Sequence, residues 1–333
     1  MLSNYLYNLS TILCSDFFTL ESLKTNFLSP NTINEIYYKK LFNHKWREKL
    51  LAPIKNTSFS YNYKILKEDQ HLLKLQFILK KSFSQKYFSK DVSSVTIENY
   101  IIIIEKSHLN YNFVMLVNSE DDVLLYDRLL KNDLSSIIET LNTNSLHLWE
   151  NKISNLDSLY NSFILLSSKS KKARSSENEF NINNAIKYAE KYALIPNPNY
   201  KSFNGIGGDC TNFVSQIIHE GGLSKTQTWK PYSNSWVRVE ELYSYLINNK
   251  LGINVSDISP FKKGNIIQFY TPQLGKFFHT GFITYELSNG DCLYCCHSYN
   301  KLNYPLSEIY PIIYPTLRAI KINWRLLLLT AKE

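Results

Sequence analysis

No apolar run in this chain approaches the roughly 20 residues that cross a bilayer. Ile101 to Ile104 reads as a buried strand and Leu326 to Leu329 as a short tail. Met1 to Leu20 lacks a basic stretch followed by an apolar core, so it does not read as a secretory signal. These absences predict no membrane partner and a cytoplasmic location, with non-classical export or cell-wall association left open. Cysteine is sparse and unevenly placed, five in all with three crowded at Cys292, Cys295 and Cys296, which argues against a disulfide framework and for reduced thiols. Charge of one sign does not gather on a face either. The balance is 37 basic against 29 acidic residues, net +8, but the lysines are scattered and the densest run, Lys169 to Arg174, falls in a linker. Nucleic-acid binding would call for a basic stripe interleaved with exposed aromatics. No internal repeat is present.

What is present is globular: 44% apolar and 14% aromatic residues in 333, enough for two cores. Leu6, Leu9, Leu13 and Phe17 have helical spacing, and Thr32 to Leu51 reads as a second helix ended by Pro53. From Phe59 the period changes to alternation: Phe59 to Ile65, Leu73 to Leu79, Val95 to Glu105, Tyr111 to Val117 and Val123 to Leu130 read as strands. Leu134 to Leu166 reads as helical, and the Ser-, Lys- and Arg-rich segment Ser167 to Asn178 as a linker. Residues 1-166 are thus expected to form an accessory α+β domain in which His44, His71 and His108 occur singly, without catalytic partners. Residues 167-180 link it to a second domain, 181-326. There Asn181 caps a helix from Ile182, Ser235 caps another running from Trp236 to Asn248, and strands follow at Asn265 to Tyr270, His279 to Glu286, Asp291 to Ser298 and Thr316 to Trp324.

The chemistry gathers at Gly207 to Gln216. Asp209 can cap a helix whose first turn carries Cys210, where the dipole and free amides favour a thiolate. A thiol so placed can titrate as low as roughly 4 to 7. The plainer alternative is that Cys210 is a small buried hydrophobe. A thiolate nucleophile needs a base and the base an orienting group. His279, starting a strand beside Gly281, is the candidate base, with Gly281 leaving room for a helix end or a substrate. If Asn289-Gly290 makes a two-residue turn, His279 lies opposite Asn300; if the loop is odd or bulged, His297 joins it instead. Asn204, six residues before Cys210, and Asp209 are candidate oxyanion donors, and Trp236 or Trp229 a candidate cleft lining.

Metal and cofactor chemistry is not expected. Cys296 spoils a haem-attachment reading of Cys292 to His297, and no second ligand pair completes a zinc site. His219-Glu220 is followed by two glycines rather than by a second histidine one turn later, so it is not a metalloprotease helix.

Gly207-Gly208-Asp209-Cys210-Thr211-Asn212-Phe213-Val214-Ser215-Gln216, with Asn197 to Tyr200, Ser235-Trp236, Gly264 to Phe269, His279-Thr280 and His297-Ser298, closely resembles the cysteine amidase domain of Gram-positive bacteria. That family is related to the CHAP and NlpC-type cell-wall hydrolases of the papain-like superfamily. The resemblance spans Asn181 to Trp324 and implies a papain-like α+β fold, helices first and an antiparallel sheet after, with Cys210 as nucleophile and His279 as base. It also implies that the first domain is cystatin-like or nuclear-transport-factor-like. Asn265 departs from the family pattern, which has Asp there. The expected activity is hydrolysis of an amide or peptide bond, with a peptide or peptidoglycan fragment as partner. Acyl transfer by the same pair, or a silent peptide-binding module, are the alternatives.

Overall fold

The computed structural model describes residues 1–16, 18–89, 92–107, 110–131, 145–172 and 180–323. Phe17, His108, Trp324, the tail after it and half of the expected linker lie outside the described residues. The chain divides into two compact units, Met1–Phe88 with Val95–Tyr160, and Ser89–Ser94 with Asn161–Glu333. Each combines helices with antiparallel strands, an α+β construction.

In the first unit, α1 (Leu2–Cys14), α2 (Leu20–Leu23) and α3 (Pro30–Lys49) precede four strands, β1 (Ile54–Glu68), β2 (Leu72–Gln85), β3 (Ser94–Lys106) and β4 (Tyr111–Asn118), in the order β1-β2-β3-β4. Proline at the start of α3 and the Ser29 cap, which accepts from the Thr32 amide, set its beginning. The alternation of β2 and β3 places Leu75, Phe77, Leu79, Ile102 and Ile104 against Leu6, Leu9 and Ile36 of the helices. Ile101 and Ile103 point to the other face, which α4 (Val123–Lys131) covers with Tyr126 and Leu129.

That last segment was expected to be a strand and is a helix. Asp122 accepts a hydrogen bond from the Leu125 amide at 2.9 Å and so caps it. Val123, Tyr126 and Leu129 are buried at a spacing of three, a helical period that a short apolar run conceals. Helix α5 (Ser145–Ser154) follows, and α6 (Leu156–Lys172) extends into the segment expected to be a linker.

After α6, most of which belongs to the second unit, comes α7 (Ile182–Tyr192), capped by Asn181 through the Asn184 amide at 3.0 Å. Next come α8 (Cys210–Glu220), α9 (Asn234–Val237) and α10 (Val239–Asn248). The helix expected from Trp236 to Asn248 is interrupted at Arg238, whose extended backbone ends α9 and starts α10. Ser235 therefore caps neither; its hydroxyl donates to the Thr228 carbonyl. Six antiparallel strands follow: β5 (Gly252–Asn254), β6 (Ile266–Thr271), β7 (Lys276–Glu286), β8 (Cys292–Cys296), β9 (Lys301–Pro305) and β10 (Thr316–Ile322), ordered β9-β8-β7-β6-β10-β5. β5 and β9 are too short and polar to stand out in the sequence.

Helix α8 is the centre of this unit. Every residue from Cys210 to Ile218 is buried, so the helix is enclosed on all sides rather than lying on a sheet with one wet face. Phe213, Val214, Ile217 and Ile218 pack against Ala185 and Ala189 of α7, Trp236, Leu242 and Leu246 of α9 and α10, and Phe282 and Ile266 of the sheet. Burial of each large apolar side chain contributes about 1.5 to 3 kcal/mol.

Candidate active site

The α8 amino end is held by its polar residues. Asp209 is 1% exposed and its carboxylate accepts from the Phe203 amide at 2.8 Å, the Asn212 side chain at 2.8 Å and His297 Nδ1 at 2.7 Å. The Asp209 amide donates to Ser298 Oγ at 2.8 Å. Asn212 also donates to the Lys201 carbonyl and accepts from Trp236 Nε1 at 2.9 Å. Behind these, Asn197 donates to Tyr188, whose hydroxyl donates to Gln216. The polar letters of the motif thus supply the internal hydrogen bonds of a buried helix. That role was not expected from the sequence, although Asn212, Ser215 and Gln216 among apolar residues of a helix were its signal.

Asp209 does not cap α8 in the ordinary way, since no amide of the helix's first turn donates to its side chain. Because its own amide is committed to Ser298, it is not available as an oxyanion donor either. Asn204 is exposed in the loop before the helix and carries no side-chain hydrogen bond among the described residues. Trp236 is fully buried, tilted against Trp229 at 4.5 Å and stacked on Tyr200 at 6.2 Å. It is a core residue and not the cleft lining it was expected to be, and Trp229 is equally buried.

Cys210 meets the sheet edge-on. β8 pairs with β7 only as far as Cys295 opposite Phe282, which leaves the earlier residues of β7 without a β8 neighbour. Into that gap the Cys210 sulfur accepts a hydrogen bond from the backbone amide of Thr280, one residue from His279. Thr211 anchors the same approach, hydroxyl to hydroxyl with Thr280 at 3.1 Å. The thiol is 7% exposed. Burial pushes it up from the ordinary thiol value, and the Thr280 and Thr211 contacts offset this only in part. The direction is opposite to the lowering expected at a helix terminus, and loss of water around the sulfur is its largest cause.

His279 pairs with Phe269 across β6 and β7, and its side chain shares that face with Gly281. Its ring stacks with Phe269 at 5.6 Å and lies 5.1 Å from Tyr299 and 6.2 Å from Tyr314. Nε2 is buried without a hydrogen-bond partner. Burial, followed by the like charge of Lys301, brings the imidazole down to about 3. The space beside Gly281 goes to Tyr294, whose Cδ2 would stand 2.7 Å from any Cβ placed there, rather than to a helix end or a substrate. No hydrogen bond joins Cys210 Sγ to His279 among the described residues.

Neither candidate orienter reaches His279. The β7–β8 connection is odd, three residues between Leu287 and Asp291, whose carbonyl accepts from the Leu287 amide, but the bulge at Ile283/Tyr285 shifts the register once more and cancels the effect of the odd loop. The alternation that results sends His297 to the helix side with Cys295. There it stacks flat on Phe213 at 3.8 Å, its Nδ1 bonded to Asp209 and its Nε2 to the Tyr192 carbonyl at 2.7 Å. Asn300 lies half-buried in the turn between β8 and β9 with no side-chain hydrogen bond among the described residues. The five cysteines are free and buried. Asn265 donates to the Ser259 and Pro260 carbonyls at 3.0 and 3.2 Å, which an aspartate in its place could not do.

Residues 179–317 match the sequence profile of a family described as a putative amidase domain. The uncharacterized protein YjcM of Bacillus subtilis is 36% identical over 132 residues, covering 36% of this chain and 31% of YjcM. The uncharacterized protein YhbB of the same organism is 31% identical over 112 residues, covering 30% of this chain and 35% of YhbB. The matched stretch thus spans about a third of the length of these curated relatives. No solved structure matches the chain. No helix among the described residues is long and apolar enough to cross a membrane.

Proposed function

We propose that the second unit is a cysteine-dependent amide hydrolase of papain-like type, with Cys210 as nucleophile and His279 as base. The observation that carries this reading is the seating of the Cys210 thiol on the Thr280 amide, next to a histidine whose ring nitrogen is buried and unpartnered. In this reading the pair rests uncharged. As a substrate carbonyl arrives, the thiol proton passes to His279 while sulfur bonds to the carbonyl carbon. The tetrahedral intermediate collapses by breaking the C–N bond, and His279 returns the proton to the departing amine. Water then cleaves the thioester, its proton taken by His279 and passed back to sulfur.

Amides at the first turn of α8, the Cys210 N–H foremost, would receive the oxyanion, with Asn204 swinging in from its loop as a second donor. Each such donor is worth roughly 3 kcal/mol. His297 and Asp209 hold Cys210 in place rather than orient the base, and Asn300 would have to move with its turn to do so. Residues 1-166 would act as an accessory α+β module. The substrate class favoured by kinship is a peptide or peptidoglycan stem peptide.

The test is acid-quenched intact-mass analysis during incubation with peptidoglycan stem peptides and a panel of unrelated peptides. An acyl adduct on Cys210 that decays to free enzyme and acid is expected. An adduct that passes instead to an added amine would select acyl transfer, and the absence of any adduct or product across the panel would select a silent binding module.

A further inference from the structure

In the first unit a cavity of about 40 Å³ opens between α1, α3 and β2, and its wall brings together Lys40, Arg47 and Lys81 with Asn43, Thr57 and Asp16. Three cations face two carboxylates, Asp16 in the wall and Glu98 beside Lys81, an excess of one positive charge. Lys40 and Arg47 stand seven residues apart on the same side of α3, and Lys81 reaches in from the sheet. Arg47 Nη1 donates to Asp16 at 2.6 Å, Lys81 lies 3.4 Å from Glu98, and Lys40 donates to the Ser15 carbonyl. The Lys40 ammonium has no carboxylate within ion-pair distance among the described residues. Burial, then Lys81 and Arg47, bring it down to about 7, with Cys14 and Asp16 offsetting little. Cys14 in the same wall is pushed up to about 11, chiefly by burial, and stays a neutral thiol.

Like charges converging on an enclosed space are costly unless an anion shares it. The donors fit one: a guanidinium fork, two ammonium groups, a carboxamide and a hydroxyl. A water needs about 10 to 15 Å³ of such space, so the cavity has room for a small tetrahedral or planar oxyanion in place of a few waters. We propose that this cavity binds a small oxyanion, a phosphate or a carboxylate group, between Lys40, Arg47 and Lys81. Bound there, the anion neutralises the excess cation and joins α3 to the sheet.

The full chain, its thermal unfolding followed at neutral pH in millimolar sodium phosphate, in sodium acetate and in sodium chloride of matched ionic strength, tests this. Phosphate or acetate should raise the midpoint of the first unit's transition by about 2 °C or more over chloride, and the arm that does so identifies the anion. Lys40→Met and Lys81→Gln should each lose most of that rise. Titration calorimetry of the unaltered chain should show saturable heat with proton uptake, because Lys40 regains its charge. Equal midpoints in all three salts with no binding heat, or a rise that survives in both variants, would overturn the proposal.

Discussion

Loss of water acts on Cys210 and His279 in the same direction, toward the uncharged form, and this decides how the pair should titrate. Alkylation of Cys210 by iodoacetamide should climb steadily with pH to beyond that of an ordinary thiol, with no plateau in the acid range. A plateau near pH 6 would mean a resting thiolate. Gly281→Ala places a Cβ 2.7 Å from the Tyr294 ring, so the ring or the strand must yield. We expect a loss of roughly 1 to 3 kcal/mol, read by denaturant unfolding, and a fall in activity from the displacement of His279. Both residues of the proposed pair stand out in the sequence, one by its place after two glycines and the other by its place at a strand start. Their protonation was not, because a local pattern reveals the helix terminus and not the depth at which it is buried.

The clasp between α8 and the turn after β8 is an element-scale device, and it is where the sequence misled most. His297 reads as a partner for His279 if the loop is odd or bulged; the loop is odd, but the bulge at Ile283/Tyr285 shifts the register a second time and sends His297 to the opposite face. Register that depends on a bulge cannot be counted from spacing. Asp209→Ala leaves the Phe203 amide, the Asn212 amide group and His297 Nδ1 without their acceptor. It should cost roughly 3 to 5 kcal/mol. His297→Phe keeps the stack on Phe213 but strands Asp209 and the Tyr192 carbonyl. It should lower stability by roughly 2 to 3 kcal/mol and leave the pH dependence of catalysis unchanged, whereas an orienter of the base would shift that profile. In α4, Leu129 is fully buried and Leu124 is 50% exposed. Truncating the first to alanine should cost about 2 to 4 kcal/mol and the second well under 1. The strand alternation read there placed both in one run, and only the Asp122 cap distinguishes the helix.

Across the whole molecule, two buried groups set opposing pH slopes. His279 falls from 6.5 to about 3 on folding, so the unfolded chain binds the extra proton and stability is lost as pH drops from 6.5 toward 3. Asp291 rises from 3.8 to about 7, chiefly by burial, so the folded chain holds the extra proton and stability is lost as pH climbs from 3.8 toward 7. Each amounts to several kcal/mol at its limit, and between pH 4 and 6.5 they largely cancel. Asp291→Asn alone should therefore make the chain more stable with rising pH across that window. His279→Phe alone should make it less stable, as urea unfolding at several pH values would show. The α+β construction and the segment that carries the candidate chemistry could be read from periodicity and motif. The oxyanion cavity could not, because Lys40, Arg47 and Lys81 meet only once α3 lies on β2. In the proposed mechanism Cys210 and His279 act as one unit on an amide bond. Amine release from peptidoglycan stem peptides and unrelated peptides, compared for the unaltered chain, Cys210→Ala, His279→Ala and the double variant, measures it most directly. We predict release by the unaltered chain, and a common floor for both single variants and the double, each folded by circular dichroism. Undiminished release by folded Cys210→Ala would contradict it.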